Sequence, residues 1–330
     1  MTMRSRIIAT GSYVPMRIMT NEDVSGLLGV PAEGIFRRTG IRTRHWAADS
    51  ECTSHLAEMA ARRACEAAGV ALGSADAIVV STTSPDMAFP STACHLQYRL
   101  GLKGSAAFDL AASCSGFLYG LSMADRLIRS GQVRRCLVVA AEIKSRSLDP
   151  RDTATAIIFG DGAGAALLDA EVSPANARGI LDVRLYADGT RHALIRIPAG
   201  GSRQPTTRQT VEGGLHTLRM QGGPLFRVAI RRLATAVIDL LKEHGYTIED
   251  VSRTIFHQAN GRMLSALRRR LGLSSENVYS VIETFGNTSS ASLPLALDHA
   301  VRNGHIKPGD LVLLGTFGGG LTWATGLVRW

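Results

Sequence analysis

One cysteine lies where a predicted strand passes into a predicted helix, a position from which a thiol can do chemistry. Residues 106–110 predict a strand, small residues around Cys114 form a turn, and a helical pattern resumes from Phe117. A helix N-terminus offers free backbone N–H groups and a partial positive charge, which stabilise a thiolate and favour nucleophilic attack. An isolated cysteine is more often a small buried hydrophobic residue. The nucleophile hypothesis therefore needs partners elsewhere in the chain.

Two polar residues in the second half are the candidate partners. His257 directly follows an apolar strand at 254–256, and sites gather at such strand ends. Asn287 lies 173 positions beyond Cys114 (287 − 114), which is about the offset at which the chain repeats itself, so we predict that it is the counterpart of Cys114. Singly, the histidine is typical of a structural residue and the asparagine of a turn or helix cap. Together, the three predict one shared site.

The elements that must position these residues form an internal repeat. Each half runs from a helical stretch through an apolar strand, a helix end and a second strand to a glycine-rich turn. The matching segments are 75–80 with 250–256, 99–102 with 270–273, 129–133 with 302–306, 137–139 with 311–313, and 159–164 with 317–320. We expect an α/β fold of two halves, 1–172 with the nucleophile and 173–330 with the histidine and asparagine, built on largely parallel sheets.

Two glycine-rich segments have separate interpretations. The stretch 198–214, rich in Gly, Pro, Thr and Arg, has no counterpart in the first half and predicts a long functional loop or lid. The segment 160–164 (GDGAG) has neither the phosphate-loop nor the dinucleotide-binding pattern, so it favours a tight turn between core elements.

Composition excludes several classes of protein. Five widely spaced cysteines without a Cys-x-x-Cys pair argue against a disulfide framework and a zinc site, and we expect no metal. No apolar run approaches the roughly 18 residues of a spanning helix, and the N-terminus lacks a signal-peptide pattern, so we expect a cytoplasmic protein with no membrane partner. The net charge of +9 suits an acidic protein, a phosphorylated ligand or nucleic acid. No nucleic-acid-binding motif is present, and we expect no nucleic-acid partner.

Several short motifs follow one another along nearly the whole chain. They are RTGIR at 38–42, AFPS at 88–91, ASCSGF at 112–117, IFGDGAG at 158–164, HQAN at 257–260, GNTS at 286–289 and FGGG at 317–320. Taken in order, these motifs resemble those of β-ketoacyl-acyl carrier protein synthase III, a thiolase-superfamily ketosynthase. This resemblance implies a five-layered αβαβα thiolase-like fold from two duplicated halves, a homodimer and a Cys-His-Asn triad of Cys114, His257 and Asn287.

The implied activity is a condensation of two thioesters. An acyl group moves from acyl-CoA or an acyl carrier to Cys114, and decarboxylative Claisen condensation with malonyl-acyl carrier protein follows, in fatty acid or polyketide initiation. The resemblance implies an oxyanion hole from the backbone N–H groups of Cys114 and Gly319. His257 and Asn287 would donate hydrogen bonds to the enolate that forms when CO2 leaves. No cofactor would be permanently bound. The substrate-binding residues implied are Arg38, Phe89, Asn260, Arg262 and Phe317.

Three positions depart from the family pattern. Gly34 and Thr153 stand where a Trp and an Arg usually sandwich the adenine of coenzyme A, and Gly223 replaces an Asn that usually bonds the pantetheine arm. Losing each stacking partner removes on the order of 1 to 2 kcal/mol of binding. The donor can therefore be CoA-borne or carrier-borne, and its chain length stays open. The arginines that could contact phosphates instead are Arg37, Arg38, Arg203, Arg208 and Arg262.

The resemblance also implies two protein interfaces. An acidic acyl carrier protein would dock on basic residues, namely Arg227, Arg262, Arg269 and Arg270. Phe89 would cross the dimer interface and limit acyl length, with ordinary core packing as its alternative.

The sequence also allows two other functions. The altered coenzyme A positions suggest an acyltransferase or chain-joining ketosynthase of specialised metabolism on the same scaffold. A non-enzymatic basic protein would show no acylated thiol.

Overall fold

The computed structural model of the chain describes residues 2–173 and 178–330. Within these ranges the strands are β1 (Thr2–Tyr13), β2 (Arg17–Thr20), β3 (Thr43–Trp46), β4 (Ala77–Ser81), β5 (Ala106–Leu110), β6 (Arg135–Glu142), β7 (Gly162–Ser173), β8 (Gly179–Ala187), β9 (Ile195–Arg196), β10 (Arg219–Met220), β11 (Arg253–Phe256), β12 (Val278–Tyr279), β13 (Leu311–Gly318) and β14 (Thr322–Arg329). The α-helices are α1 (Asn21–Leu28), α2 (Ala32–Thr39), α3 (Thr53–Ala68), α4 (Thr92–Arg99), α5 (Gly116–Arg129), α6 (Thr153–Ala156), α7 (Arg208–Glu212), α8 (Gly222–Glu243), α9 (Gly261–Leu271), α10 (Ile282–Phe285) and α11 (Ser292–Arg302).

Two five-stranded sheets repeat one topology. The first has the order β1-β7-β6-β4-β5, and the second has the order β8-β14-β13-β11-β12. In each, the last three strands are parallel to one another and the first two form antiparallel ladders. The expectation of largely parallel sheets is therefore wrong, because the ladders that β7 and β14 form with both of their neighbours are antiparallel and make both sheets mixed. The first sheet ends at Ser173 and the second begins at Gly179.

Helices form three layers around these sheets. Helices α5 and α11 lie between the sheets and contact both of them, whereas α3 covers the outer face of the first sheet and α8 that of the second. Most residues of the middle helices are buried, with Phe117, Leu121 and Leu293 fully so, as a helix between two sheets requires. The order is α, β, α, β, α.

Each middle helix also carries one buried carboxylate in the same place. Asp125 of α5 bonds Arg129 one turn later and accepts a hydrogen bond from Ser5 Oγ. Asp298 of α11 bonds Arg302 one turn later and accepts from Thr10 Oγ1. Both carboxylates thus link the middle layer to β1, and each is satisfied by a cation and a hydroxyl.

The repeat is exact at the start of these helices but not at their ends. Helix α5 has 14 residues and α11 has 11, so the offset is 176 at their first residues (292 − 116) and 173 beyond them. An offset of 176 places Ser290 opposite Cys114. The prediction that Asn287 is the counterpart of Cys114 is therefore wrong, because it used the offset measured after the shorter helix.

The segment predicted as a loop or lid has some structure of its own. It contains a bridge between Gly201 and Gln204 and the short helix α7, whose N-cap Thr207 accepts a hydrogen bond from the Thr210 N–H. Among the described residues, no helix is both long and apolar enough to cross a membrane.

Candidate active site

Cys114 lies in a tight 3-10 turn, 113–115, between β5 and α5. Ser113 in this turn has a left-handed backbone with φ of 50°, and Cys114 is 6% exposed. The end of β13 lies directly against this 3-10 turn, since a Cβ built on Gly318 would lie 2.7 Å from the Cys114 backbone N. Only glycine allows this approach, which brings the end of the second sheet to the nucleophile turn of the first.

The side chain of Asn287 has a fixed orientation. The Ser289 N–H donates to Asn287 Oδ1 at 2.8 Å, so the carbonyl end of the amide is assigned by its partner. The amide nitrogen Nδ2 donates to the Ala259 carbonyl oxygen at 3.3 Å. An NH2 group has two donors, and this arrangement leaves the second one for a bound group.

His257 is held through its other ring nitrogen. Its Nδ1 lies 2.5 Å from Ser292 Oγ, at the first residue of α11. Ser292 Oγ is also 2.9 Å from the Ser289 carbonyl oxygen, to which it can donate. The Ser292 hydroxyl has one proton, which it can donate either to His257 Nδ1 or to the Ser289 carbonyl oxygen. The choice between these two acceptors decides which nitrogen of His257 carries hydrogen.

The three predicted residues line one narrow cavity of about 80 Å³. Its walls are mainly apolar, with Ile158, Leu225 and Phe226 among them, and the ends of β11 and β13 contribute polar groups. The remaining lining residues are Phe159, Ile195, Met220, Gly222, Ala259, Asn260, Met263, Phe317, Gly318 and Gly319. The structure therefore brings together residues that stand far apart in the sequence.

Burial shifts the pKa values of the two titratable groups in opposite directions. It lowers the pKa of His257 to about 3, so the imidazole is neutral at physiological pH. Burial also raises the pKa of the Cys114 thiol, and Glu142 adds to this, whereas Ser289, Ser113 and Lys144 act more weakly against it. The expected thiolate stabilisation at the helix N-terminus is thus outweighed, because such a terminus contributes only about 0.3 to 1 kcal/mol in ordinary positions.

Two backbone donors face the same region. The N–H groups of Cys114 and Gly319 form no hydrogen bond with another described group, and Gly319 lines the cavity beside the thiol. Buried N–H groups are nearly always paired, so unpaired ones next to a nucleophile suit an oxyanion.

A second cavity of about 280 Å³ lies beside Cys114 and contains residues that sequence reasoning missed. Lys144 lines it, and its Nζ is 3.0 Å from the buried carboxylate of Glu142. Ser289 lines it as well, with its hydroxyl 3.5 Å from Cys114 Sγ and 3.1 Å from Glu142 Oε1. A glutamate ending the apolar stretch 137–142 is the one sequence signal that could have revealed this network.

The predicted substrate-binding residues fall into separate places. Asn260 and Phe317 line the narrow cavity, and Asn260 also caps α9 by accepting from the Met263 N–H at 2.9 Å. Arg38 and Arg262 are exposed and line neither cavity; they lie on α2 and α9, which contact each other where a Cβ built on Gly40 would be 3.3 Å from Gly261 Cα. Phe89 lines neither cavity within the single chain and is 87% exposed, so its core-packing alternative is wrong.

The predicted docking residues are exposed along α8 and α9. Arg227 lies in the second turn of α8 and Arg262 in the first turn of α9, beside the cavity-lining residues Phe226 and Met263. Arg269 and Arg270 lie at the far end of α9, about 10 Å farther along the helix axis.

The three departures from the family pattern are not forced by lack of space at the two glycines. A built Cβ on Gly34 meets nothing closer than 3.9 Å, and one on Gly223 nothing closer than 4.0 Å. Thr153 begins α6 and is half-buried.

Comparison with known proteins decides the family. Residues 108–189 match the family described as 3-oxoacyl-[acyl-carrier-protein (ACP)] synthase III, and residues 241–330 match its C-terminal part. A β-ketoacyl-[acyl-carrier-protein] synthase III of Rhodospirillum centenum is 46% identical over 331 residues, covering 100% of both chains. The chain belongs to the 3-oxoacyl-[acyl-carrier-protein] synthase III family.

Solved structures of similar proteins agree with this assignment. The 3-oxoacyl-[acyl-carrier-protein] synthase III from Aquifex aeolicus superposes with a TM-score of 0.90 at 38% identity, covering 99% of this chain and 100% of the other. The priming β-ketosynthase from the R1128 polyketide biosynthetic pathway superposes with a TM-score of 0.90 at 36% identity, covering 98% and 95%. The predicted thiolase-like αβαβα fold is confirmed.

The GDGAG segment is not the predicted tight turn, because Gly162 already begins β7 and only Gly160 and Asp161 precede the strand. Asp161 is buried and accepts from the N–H groups of Ala47 and Ser145, joining β3 and β6 to the start of β7. Gly160 has no room for a side chain, since a Cβ there would lie 2.9 Å from the Phe285 carbonyl oxygen. Among the described residues, no group of three or more His, Cys, Asp or Glu side chains could hold a metal ion.

Proposed function

We propose that this chain is a condensing enzyme of the β-ketoacyl-acyl carrier protein synthase III type, an acyltransferase that primes fatty acid or polyketide synthesis. The observation that carries the proposal is that Cys114, His257 and Asn287 line one narrow apolar cavity. Family membership supports it, since the relatives carry this name over their full length.

The first half-reaction transfers an acyl group to Cys114. The sulfur attacks the thioester carbonyl, and the tetrahedral oxyanion accepts hydrogen bonds from the N–H groups of Cys114 and Gly319. The bond to the donor thiol then breaks, and the donor leaves as a thiol with the proton that Cys114 lost. Because burial raises the pKa of the Cys114 thiol, attack requires the proton to leave the sulfur as the substrate binds, and the departing donor sulfur is the group that finally takes it.

The second half-reaction forms the carbon-carbon bond. The malonyl thioester loses CO2, and its electron pair passes to an enolate whose oxygen accepts from Asn287 Nδ2 and His257 Nε2. The enolate carbon attacks the acyl carbonyl on Cys114, the carbon-sulfur bond breaks, and Cys114 leaves as a thiolate that takes a proton from solvent to become the thiol again. A neutral histidine and an amide suit this step, since they stabilise the negative oxygen without protonating it.

An acyl carrier protein is the partner that we propose for the malonyl group. The exposed Arg227 and Arg262 flank the entrance, so an acidic carrier could place its thioester arm between α8 and α9. Arg269 and Arg270 extend this basic surface. The proposed donors are acyl-CoA or an acyl carrier, with no permanently bound cofactor.

We further propose a homodimer formed through the edge strand β5 and the segment before α4. Strand β5 ends its sheet and is only partly buried, although it is rich in apolar residues. Phe89 and Tyr98 nearby are 87% and 85% exposed, which is unusual for large apolar side chains. A second subunit would cover them and let Phe89 limit the acyl length in the neighbouring site.

An acyltransferase or chain-joining ketosynthase of specialised metabolism is the second candidate. The missing adenine-stacking residues at Gly34 and Thr153 favour it, and so does the likeness to a priming polyketide ketosynthase. Release of CO2 separates the two functions, because plain acyl transfer keeps the malonyl carboxylate.

The test is intact-mass analysis after incubation with a panel of acyl donors, followed by malonyl-acyl carrier protein. We expect one acyl increment on the wild-type protein and none on Cys114→Ala, then release of CO2 and a β-ketoacyl carrier. Acylation without any CO2 release would favour the second candidate, and the absence of acylation with every donor would overturn both.

A further inference from the structure

The larger cavity beside Cys114 carries charge that the proposed condensation does not use. Among the described residues that line it, Lys144 and Arg196 are cationic and none is a carboxylate. Its other polar lining groups near the sulfur are Thr83, Ser113 and Ser289. A cavity that received only an aliphatic chain would be expected to have apolar walls throughout.

Lys144 is almost fully enclosed, with its side chain 5% exposed. Its Nζ lies 3.0 Å from Glu142 Oε2 and donates to Thr83 Oγ1 at 2.5 Å. An ammonium has three donors, and these contacts use two of them. Because Thr83 also lines the cavity, the ammonium lies at the cavity wall with one donor left.

Glu142 is fully buried and already saturated by donors. It accepts from Thr83, Ser84, Ser289 and Ser290. Burial opposes its ionisation, but Lys144 and these hydrogen bonds prevail and hold its pKa below the ordinary value. Glu142 therefore neutralises Lys144. Arg196, the second cation, gives the cavity wall a net positive charge.

The charged wall lies close to the nucleophile. Ser289 Oγ is 3.5 Å from Cys114 Sγ and 3.1 Å from Glu142 Oε1, and Glu142 is paired with Lys144. The side chains of Ser289 and Glu142 thus connect the Cys114 sulfur to the Lys144 ammonium. An acyl group on Cys114 that reaches the cations is consequently short.

We propose that this cavity holds the acyl group and selects a short chain that ends in a carboxylate, recognised by Lys144 and Arg196. The inference rests on the proposed function, since it assigns the acyl substrate of the same Cys114 thioester. A carboxylate can take the remaining Lys144 donor and form a charge-assisted pair with Arg196. An apolar chain of equal size would instead cover these polar groups without replacing their water contacts.

The test compares three isosteric donors supplied as pantetheine thioesters, which avoids any dependence on adenine binding. Succinyl, succinamoyl and 4-methylpentanoyl groups share one shape and differ as anion, neutral amide and hydrocarbon. Second-order rate constants for loading of the full-length protein are measured by intact mass. We expect succinyl to load at least about tenfold faster than either of the others. Equal or faster loading of succinamoyl or 4-methylpentanoyl would overturn the inference and leave the proposed function standing.

Variants then assign the preference to residues. Lys144→Met should remove most of the succinyl preference and Arg196→Met part of it, whereas Arg134→Met, an exposed arginine at the opposite end of β6, should leave it unchanged. Because Lys144→Met strands a buried carboxylate and can fail to fold, Glu142→Gln with Lys144→Met serves as the second variant. An unchanged preference in the folded double variant would contradict the assignment. Failure of wild-type protein to load any thioester would overturn the proposed function as well.

Discussion

The two halves of this molecule share one sheet order and one turn but use the turn for different chemistry. In the first half, the turn before α5 has a left-handed Ser113 followed by Cys114. In the second half, the turn before α11 has a left-handed Ser289, with φ of 55°, followed by Ser290. Ser290 is fully buried and donates to Glu142, so it has kept the position of Cys114 without its exposure to the narrow cavity.

The two halves of the duplicated fold therefore contribute different groups to the site. The first half supplies the sulfur, whereas the second supplies neutral hydrogen-bonding groups from the residues just before and after its turn. Asn287 precedes the turn, and Ser292 after it holds His257. The common backbone geometry places both sets at one interface, and only the side chains have diverged.

Removing the sulfur of the first half should have the largest effect. Cys114→Ala should abolish acyl-enzyme formation, because no other group in the narrow cavity is a nucleophile of comparable strength. Intact mass with a loading donor measures this. Cys136→Ala is the matched control, since Cys136 is buried in β6 and lines neither cavity. An acyl increment on the Cys114→Ala protein would remove the role given to the first half.

Removing the donors of the second half should produce a smaller and different loss. His257→Ala and Asn287→Ala should each lower the condensation rate about 10²- to 10³-fold, which is the usual effect of deleting one oxyanion donor. Loading of Cys114 should persist, because its oxyanion is bound by backbone N–H groups. Single-turnover assays of loading and of CO2 release measure the two steps separately. Undiminished condensation in either variant would contradict the division of roles.

Much of the fold and the chemistry was predictable from the sequence because both leave local signals. Glycine-rich turns and strand ends identified Cys114 and His257, and the repeat identified two halves. The pairing of Asn287 with Cys114 was not predictable, because a difference of three residues in helix length moves the offset without leaving a sequence mark. Asn287 nonetheless lines the same cavity as Cys114 and His257.

The charged wall of the larger cavity could not be predicted for a different reason. Glu142 and Lys144 are close in sequence, but their partners Thr83, Ser289 and Ser290 come from remote segments. The raised pKa of Cys114 could not be predicted either, since the sequence indicates the helix terminus, which favours the thiolate, but not the extent of burial, which opposes it. Burial is a property of the packed layers, and it outweighs the local dipole.

The two buried titratable groups, His257 in the second half and Cys114 in the first, should also make the protein less stable at opposite ends of the pH scale. The pKa of His257 falls from 6.5 to about 3 on folding, so the unfolded chain binds the proton first as the pH drops. Its contribution is fully present above about pH 6.5 and is lost between there and pH 3, on the order of a few kcal/mol. The raised pKa of Cys114 acts in reverse, and its contribution is lost as the pH rises above the ordinary thiol range.

Urea unfolding of the wild type, His257→Gln and Cys114→Ala at pH 4.5, 7 and 9.5 measures this contrast. We expect His257→Gln to flatten the acid limb of the stability profile and Cys114→Ala the alkaline limb. Parallel profiles for all three proteins would show that burial of these two groups does not govern the pH dependence.

The smallest expected effect concerns Ser292, which positions His257 without lining the narrow cavity. Its hydroxyl can donate to His257 Nδ1, which leaves the proton on Nε2 facing the enolate oxygen. Ser292→Ala removes this donor and should lower the condensation rate about tenfold while sparing the loading of Cys114. Ser292→Thr keeps the hydroxyl and should restore condensation, which a purely packing role would not explain. Equal condensation rates in the Ala and Thr variants would mean that the proton on His257 is set by another group.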